Sequence, residues 1–222
     1  MKPSEPTDVV VPVPPAQPSA IKNALKAGAR FTALVFVLPV WITFCISSKM
    51  LGRDRALESA SQGLSLLPGI VGQYLRRAFL QRVLAECHSS CLVEFGTLFS
   101  QAGARLDANV YVGPRCSLGL VHLERDVLLA GNVQIPSGGS THYFDDPTKP
   151  IREQGGERRL VTIGAGAWIG TSAIVMADVG AGTVVAAGSV VTKPLPANVI
   201  AAGVPARVIR SRFAESPSQE SP

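Results

Sequence analysis

Histidine is scarce in this 222-residue chain, with three in all. One of them, His142, stands in its most polar internal stretch, PSGGSTHYFDDPTKPIREQGGERRL, between Pro136 and Leu160. An imidazole titrates at about pH 6.5 when unperturbed, so a loop histidine can take a proton from an attacking hydroxyl at neutral pH. Asp145 and Asp146 follow closely; one carboxylate could fix the ring tautomer, or the pair could form a turn before Pro147. Arg152 could anchor the same stretch or meet a substrate. The segment Cys87-His88-Ser89-Ser90-Cys91 offers two thiols and an imidazole. Lacking a second ligand pair, it predicts reduced, partly buried thiols rather than a zinc site. With Cys45 and Cys116 the cysteines form no disulfide framework, which points to a reducing compartment.

The element that must position His142 is a repeat. An aliphatic residue returns every six positions at Leu106, Val112 and Leu118, then after a five-residue step at Leu123, Leu129 and Ile135. The series resumes at Ile163, Ile169 and Val175, skips ten residues to Val185, and reaches Val191. Glycine commonly follows (Gly113, Gly119, Gly164, Gly170), with a small residue four positions on. This pattern predicts a mainly β fold, a parallel solenoid running from Leu106 to about Arg210, whose triangular coils each take three repeats. A β-sandwich would instead alternate with period two. The stretch from 136 to 160 breaks the period and is too long for a turn, which marks it as a functional loop.

The run TIGAGAWIGTSAIVMADVGAGTVVAAGSVVTKPLPANVIAAGVPARVIR and the loop SGGSTHYFDDPTKPIREQGG resemble the hexapeptide-repeat acyltransferases, in their sugar and polysaccharide O-acetyltransferase branch. The likeness spans about Phe95 to Arg210, and the ten-residue step after Val175 departs from the family's usual twelve. The resemblance implies a left-handed parallel β-helix, a homotrimer with active sites between subunits, and acetyl-CoA as donor, with no metal. It implies His142 as general base in direct transfer within a ternary complex, backbone amides stabilising the oxyanion. By the same resemblance Asn132 lies near the acceptor, Trp168, Thr171 and Ala187 line the pantetheine or thioester end, and Lys193 and Arg207 meet the adenosine phosphates.

Around this domain (91–210) the chain divides into a proline-rich tail expected to be disordered (1–20), an apolar segment (21–50), an amphipathic helical lead-in or cap (51–90) and a C-terminal tail expected to be disordered (211–222). Phe31 to Ile46 carries no charge and is flanked by Lys22, Lys26 and Arg30 before it and by Lys49, Arg53 and Arg55 after. Because basic flanks favour the cytoplasm and Pro39 interrupts the middle, the preferred expectation is a re-entrant helical hairpin broken at Pro39. A kinked span and a buried helix are the alternatives. This would hold a cytoplasmic catalytic domain at the inner face of a cell membrane, near a glycan or lipid-linked sugar acceptor. A signal peptide is not expected, because the basic residues follow a neutral proline tail. Leu75, Phe79 and Val83 predict a helix face, with Arg76, Arg77 and Arg82 leaving that helix basic.

The net charge is +5 without a basic run interleaved with aromatics, which excludes a nucleic-acid surface. A γ-type carbonic anhydrase needs two of its three histidines five residues apart, whereas His88, His122 and His142 are 34 and 20 apart. The remaining alternatives are a non-catalytic solenoid scaffold at the membrane, a longer acyl donor, or an amine acceptor.

Overall fold

The computed structural model describes residues 20–213, without the side chains of 20–27 and Phe31. The segments expected to be disordered, 1–20 and 211–222, lie outside it but for Ala20 and 211–213. The column comprises about six triangular coils. Coil 1 holds β1 (Glu86–Cys87), β2 (Leu92–Val93) and β3 (Leu98–Phe99); coil 2 holds β4 (Arg105–Leu106), β5 (Tyr111–Val112) and β6 (Ser117–Leu118). Coil 3 holds β7 (Val121–Leu123), β8 (Leu128–Leu129) and β9 (Gln134–Ile135). After the loop, coil 4 holds β10 (Val161–Ile163), β11 (Trp168–Ile169) and β12 (Ile174–Val175). Coil 5 is a bridge at Val179 with β13 (Val184–Val185) and β14 (Val190–Val191); Leu195, β15 (Val199–Gly203) and the antiparallel β16 (Ala206–Ser211) close the stack. Equivalent strands stack in parallel as three faces: A (β1-β4-β7-β10), B (β2-β5-β8-β11-β13-β15, then β16) and C (β3-β6-β9-β12-β14). The fold is a left-handed parallel β-helix.

The six-residue period has a direct packing cause. Leu106, Leu118, Leu129, Ile135, Ile163 and Ile169 point inward and are essentially fully buried, each contributing about 1.5–3 kcal/mol of apolar burial. Two residues earlier a smaller side chain also points in, as with Ala104, Cys116, Ala167 and Ala173. Corners are tight: Asn109, Asp126, Asn132 and Asn198 adopt left-handed φ near 60°, which Asn and Asp tolerate better than most residues. Coils also approach closely, since a Cβ on Gly170 would meet the Ala187 amide nitrogen at 2.5 Å.

The column begins earlier than Leu106, and earlier than residue 91, because Cys87, Val93 and Phe99 form coil 1. The seven-residue step from Phe99 to Leu106 hides their register in the sequence. The ten-residue step after Val175 resolves into four plus six, with Val179 as the short corner; Val191 to Leu195 repeats the four-residue step.

Three helices cap coil 1: α1 (Ala20–Leu51), α2 (Arg53–Ser65) and α3 (Gly69–Val83). The helix α1 runs unbroken through Pro39, so the expected hairpin broken at that residue does not form; burial of Val37 and Phe44 on either side of it against the cap offsets the donor lost there. The 13-residue α2 lies within the helical lead-in expected over 51–90, although its sequence is mostly polar. It buries Leu57 and Leu64, and the Ser61 hydroxyl accepts from the Phe99 amide at 2.9 Å. Arg76 does not leave a basic surface on α3. It is 3% exposed and donates to the carbonyls of Leu64 (3.2 Å), Leu67 (2.6 Å) and Val93 (3.1 Å), so its charge meets the C-terminal end of α2. Burial holds its pKa below the usual guanidinium value.

Candidate active site

The loop after β9 leaves the column at the corner between faces C and A and folds back on itself as an arm. Its two sides are joined by amide-to-carbonyl bonds from Arg159 to Ser137 (2.8 Å), Glu157 to Ser140 (2.9 Å) and Tyr143 to Gly155 (3.1 Å). At its root, Ser137 Oγ accepts from the Leu120 amide at 2.9 Å, and Arg159 pairs with Asp178. His142 sits on the outgoing side, exposed. Opposite it, Gly156 packs so closely that a Cβ there would overlap the Thr141 carbonyl and meet His142 Cα at 2.9 Å.

The arm tip is self-contained. Asp146 accepts from the Thr148 amide (2.9 Å) and hydroxyl (2.6 Å) and pairs with Lys149 at 3.2 Å, and the Thr148 bonds lower its pKa. Gln154 ties the tip to Asp146 and Lys149. Asp145 is exposed, and neither acid bonds to the His142 ring among the described residues. Arg152 is exposed and, among the described residues, pairs with its neighbour Glu153 alone, at 3.5 Å.

Beneath the arm lies a cleft of about 640 Å³. Its floor is Ser117, Gln134 and Ile174 on face C, its near wall is Thr141 and Arg158 of the arm, and its far wall is Arg55 and Glu58 of α2. A mixed wall of carboxylate, guanidinium, amide and hydroxyl groups suits a polyhydroxylated ligand. Sequence reading missed Arg55, Glu58, Gln134, Gly156 and Arg158. The adjacent Gly155-Gly156 was a usable signal for a close backbone approach; the α2 residues carried none, since only the cap's docking brings them to the arm.

The remaining expected site residues gather elsewhere. Thr171 and Ala187 stack at the corner between faces B and C, where the Gly188 amide donates to the Thr171 carbonyl at 2.8 Å. Asn132 stands on the same corner, its Nδ2 donating to Ser172 Oγ at 3.0 Å. Trp168 projects from face B, 51% exposed, and Arg207, exposed on β16, pairs with Ala202 near that edge. Lys193 is exposed just past β14, at the corner the arm uses. Within one chain, then, His142 and the B/C edge stand on opposite sides of face C. The three histidines are also apart: His88 bonds Ser90 Oγ at 2.8 Å near the start of coil 1, His122 bonds Asp107 at 3.0 Å on face A, and His142 is on the arm.

No family model matches the chain. It is 40% identical over 142 residues to the galactoside O-acetyltransferase of Escherichia coli, covering 61% of this chain and 68% of that one. It is 34% identical over 139 residues to an Escherichia coli protein provisionally named a lipopolysaccharide biosynthesis O-acetyl transferase, covering 53% and 71%. Among solved structures it superposes on a maltose O-acetyltransferase from Clostridium difficile with TM-score 0.58 and 26% identity, over 71% of this chain and 87% of that one. A galactoside acetyltransferase in complex with coenzyme A shares the fold, with TM-score 0.53 and 24% identity over 72% and 82%. Six-residue coils, an inserted arm and relatives of this extent agree: the chain belongs to the hexapeptide-repeat acetyltransferases and is an acyltransferase.

Proposed function

We propose that this protein transfers an acetyl group from acetyl-CoA to a hydroxyl of a sugar, within a homotrimer whose active sites are each completed by two protomers. The observation that carries the reading is the separation just described: the arm with His142, and the polar cleft that its neighbour Thr141 lines, lie at the C/A corner, whereas Trp168, Thr171, Ala187 and Arg207 lie at the B/C edge. A donor held along the B/C edge of one copy meets the arm of the next; a single chain cannot bring them together. The sugar acceptor is supported by the activities named for the galactoside and maltose relatives, and the donor by the coenzyme A bound in a protein of the same fold.

In this reading the acceptor sits in the cleft between Glu58, Arg55, Gln134 and Arg158. The His142 imidazole takes the proton of the attacking hydroxyl as its oxygen bonds to the thioester carbonyl carbon. Backbone amides stabilise the oxyanion, and the carbonyl re-forms as the C–S bond breaks, the histidine returning its proton to the coenzyme A thiolate. Trp168, Thr171 and Ala187 flank the pantetheine arm; Arg207 on the same edge and Lys193 at the neighbouring copy's arm corner offer cations to the phosphates. Asn132, Asp145 and Arg152 are assigned to loop support and acceptor contact, Asp146 to the tip turn. Exposed Tyr143 and Phe144 on the arm supply apolar area for the neighbouring protomer.

The helix α1, apolar enough to cross or enter a bilayer over Gly28–Leu51, attaches the enzyme to the cytoplasmic face of a cell membrane. A lipid-linked glycan acceptor follows from that attachment and from the relative named for lipopolysaccharide biosynthesis. The test is hydrolysis-corrected coenzyme A release against a panel of free sugars and lipid-linked glycans, with His142→Ala as control. Thermal stabilisation by acetyl-CoA is expected. A trimer that neither gains stability with acetyl-CoA nor releases coenzyme A would establish a scaffold instead.

A further inference from the structure

The cap's outer layer carries a surface that the column does not use. Along α1, Ala33, Val37 and Phe44 are buried against the cap, whereas Val35, Leu38, Ile42, Ile46 and Met50 are 41–80% exposed. Their spacing follows the helical period, so they form one apolar stripe. Phe36, Ile70 and Val71, each 70% exposed, widen it beside a groove of about 400 Å³ between α1 and α3. An apolar patch of this extent marks an interaction surface.

The helix is also held flat on the layer beneath it. A single residue, Gly52, joins α1 to α2 with φ of 85°, and the start of α2 is seated firmly. Arg53 donates to the Val83 carbonyl at 3.0 Å, and Asp54 accepts from the Ala102 amide at 2.9 Å. Farther back, Phe44 packs edge-on against Phe79 at 5.8 Å. Crossing a bilayer would strip α1 from α2 and α3 and uncover Phe79, Leu57 and Ala78, now at most 4% exposed.

Charge identifies what covers the stripe. Exposed Arg30 stands at one end and exposed Lys49 and Arg53 at the other. Two copies laid stripe to stripe would set like charges together in either direction, which is costly, whereas anionic headgroups complement both ends.

Building on the membrane attachment proposed above, we infer that α1 does not cross the bilayer but lies in the plane of an anionic lipid surface. Its inner face rests on α2 and α3, its stripe enters the headgroup and acyl boundary, and the column stands off the surface on its cap.

Flotation of the full chain with phosphatidylglycerol/phosphatidylcholine vesicles tests this, alongside depth-dependent quenching of a bimane placed by V35C, I42C or I46C in a C45A/C87A background. Binding to anionic but weakly to neutral vesicles is expected, with the three probes at one shallow depth. The double variant I42E/I46E changes only exposed positions. It should lose about tenfold or more of its vesicle partitioning while keeping its far-UV spectrum and coenzyme A release on a soluble sugar. A gradient of depth with Ile42 deepest, or protease protection of the N-terminus in sealed vesicles, would overturn in-plane docking while leaving membrane attachment intact. Failure to float, with a self-association that I42E/I46E abolishes, would overturn both and assign the stripe to a second copy. Flotation without coenzyme A release would sink the acyl-transfer reading alone.

Discussion

The column and its arm are made from one continuous chain, yet they are held by different forces. In coils 2 to 5 each repeat buries a large inward aliphatic between the coils above and below, so stability is spread along a packed column. From Gly139 to Arg159 the arm contains no buried residue and is held by backbone hydrogen bonds, the Asp146–Gln154 tip and the Arg159–Asp178 latch. The column therefore supplies rigidity that the chemistry borrows. The arm supplies groups whose loss costs little folding energy, and substitutions in the two regions should separate cleanly into losses of stability and losses of turnover.

The largest effect expected is on the arm. His142→Ala should lower kcat by about 10²–10⁴-fold, the usual worth of a general base, with the melting temperature unchanged; a coenzyme A release assay beside a thermal melt reads both. Activity equal to the parent would move the base elsewhere. Next, Ile169→Ala should cost about 2–5 kcal/mol in the column, seen as a lower denaturation midpoint. Turnover per folded molecule should be preserved; if it falls as steeply as stability, column and arm are not separable. Gly156→Ala tests the seam between them. The added methyl displaces the Thr141–His142 backbone, and a shift of about 1 Å at a catalytic group costs about 10²-fold, with only a small change in melting temperature. The smallest effect belongs to Cys116, whose buried thiol is pushed up to about 11 from 9.0. Below about pH 9 the thiol is neutral in both states and its contribution is intact. Between about pH 9 and 11 the unfolded chain releases the proton first, so stability should fall across that window. Cys116→Ala should flatten this part of the denaturation-versus-pH curve, and an unchanged slope would mean that the corner opens to solvent.

Much of this was legible before any coordinates. Inward positions from Leu106 to Val191 follow from period six because each coil is a local pattern repeated, and the interruption after Ile135 marks the arm for the same reason. Coil 1 escaped notice because its inward residue at Cys87 is a thiol and its step to Leu106 is irregular. Val179 escaped because a four-residue corner falls outside the period. Charge misled on α3: a guanidinium in an amphipathic helix reads as solvated, and only the carbonyls converging at the end of α2 make burial of Arg76 favourable. Proline misled on α1, where packing against α2 and α3 outweighs one lost hydrogen bond.

By itself the sequence determined the column, the place of the arm, and the presence of one histidine on it, because periodic burial is written into neighbouring residues and needs no distant partner. The tertiary structure alone decided which side of the column each group faces. It set Arg55 and Glu58 opposite the arm, tied Asp146 into the tip, pressed Gly156 against His142, and parted the arm from the B/C edge. These are juxtapositions between segments far apart in the chain, fixed by how the cap docks and how the coils stack, and no local pattern encodes them.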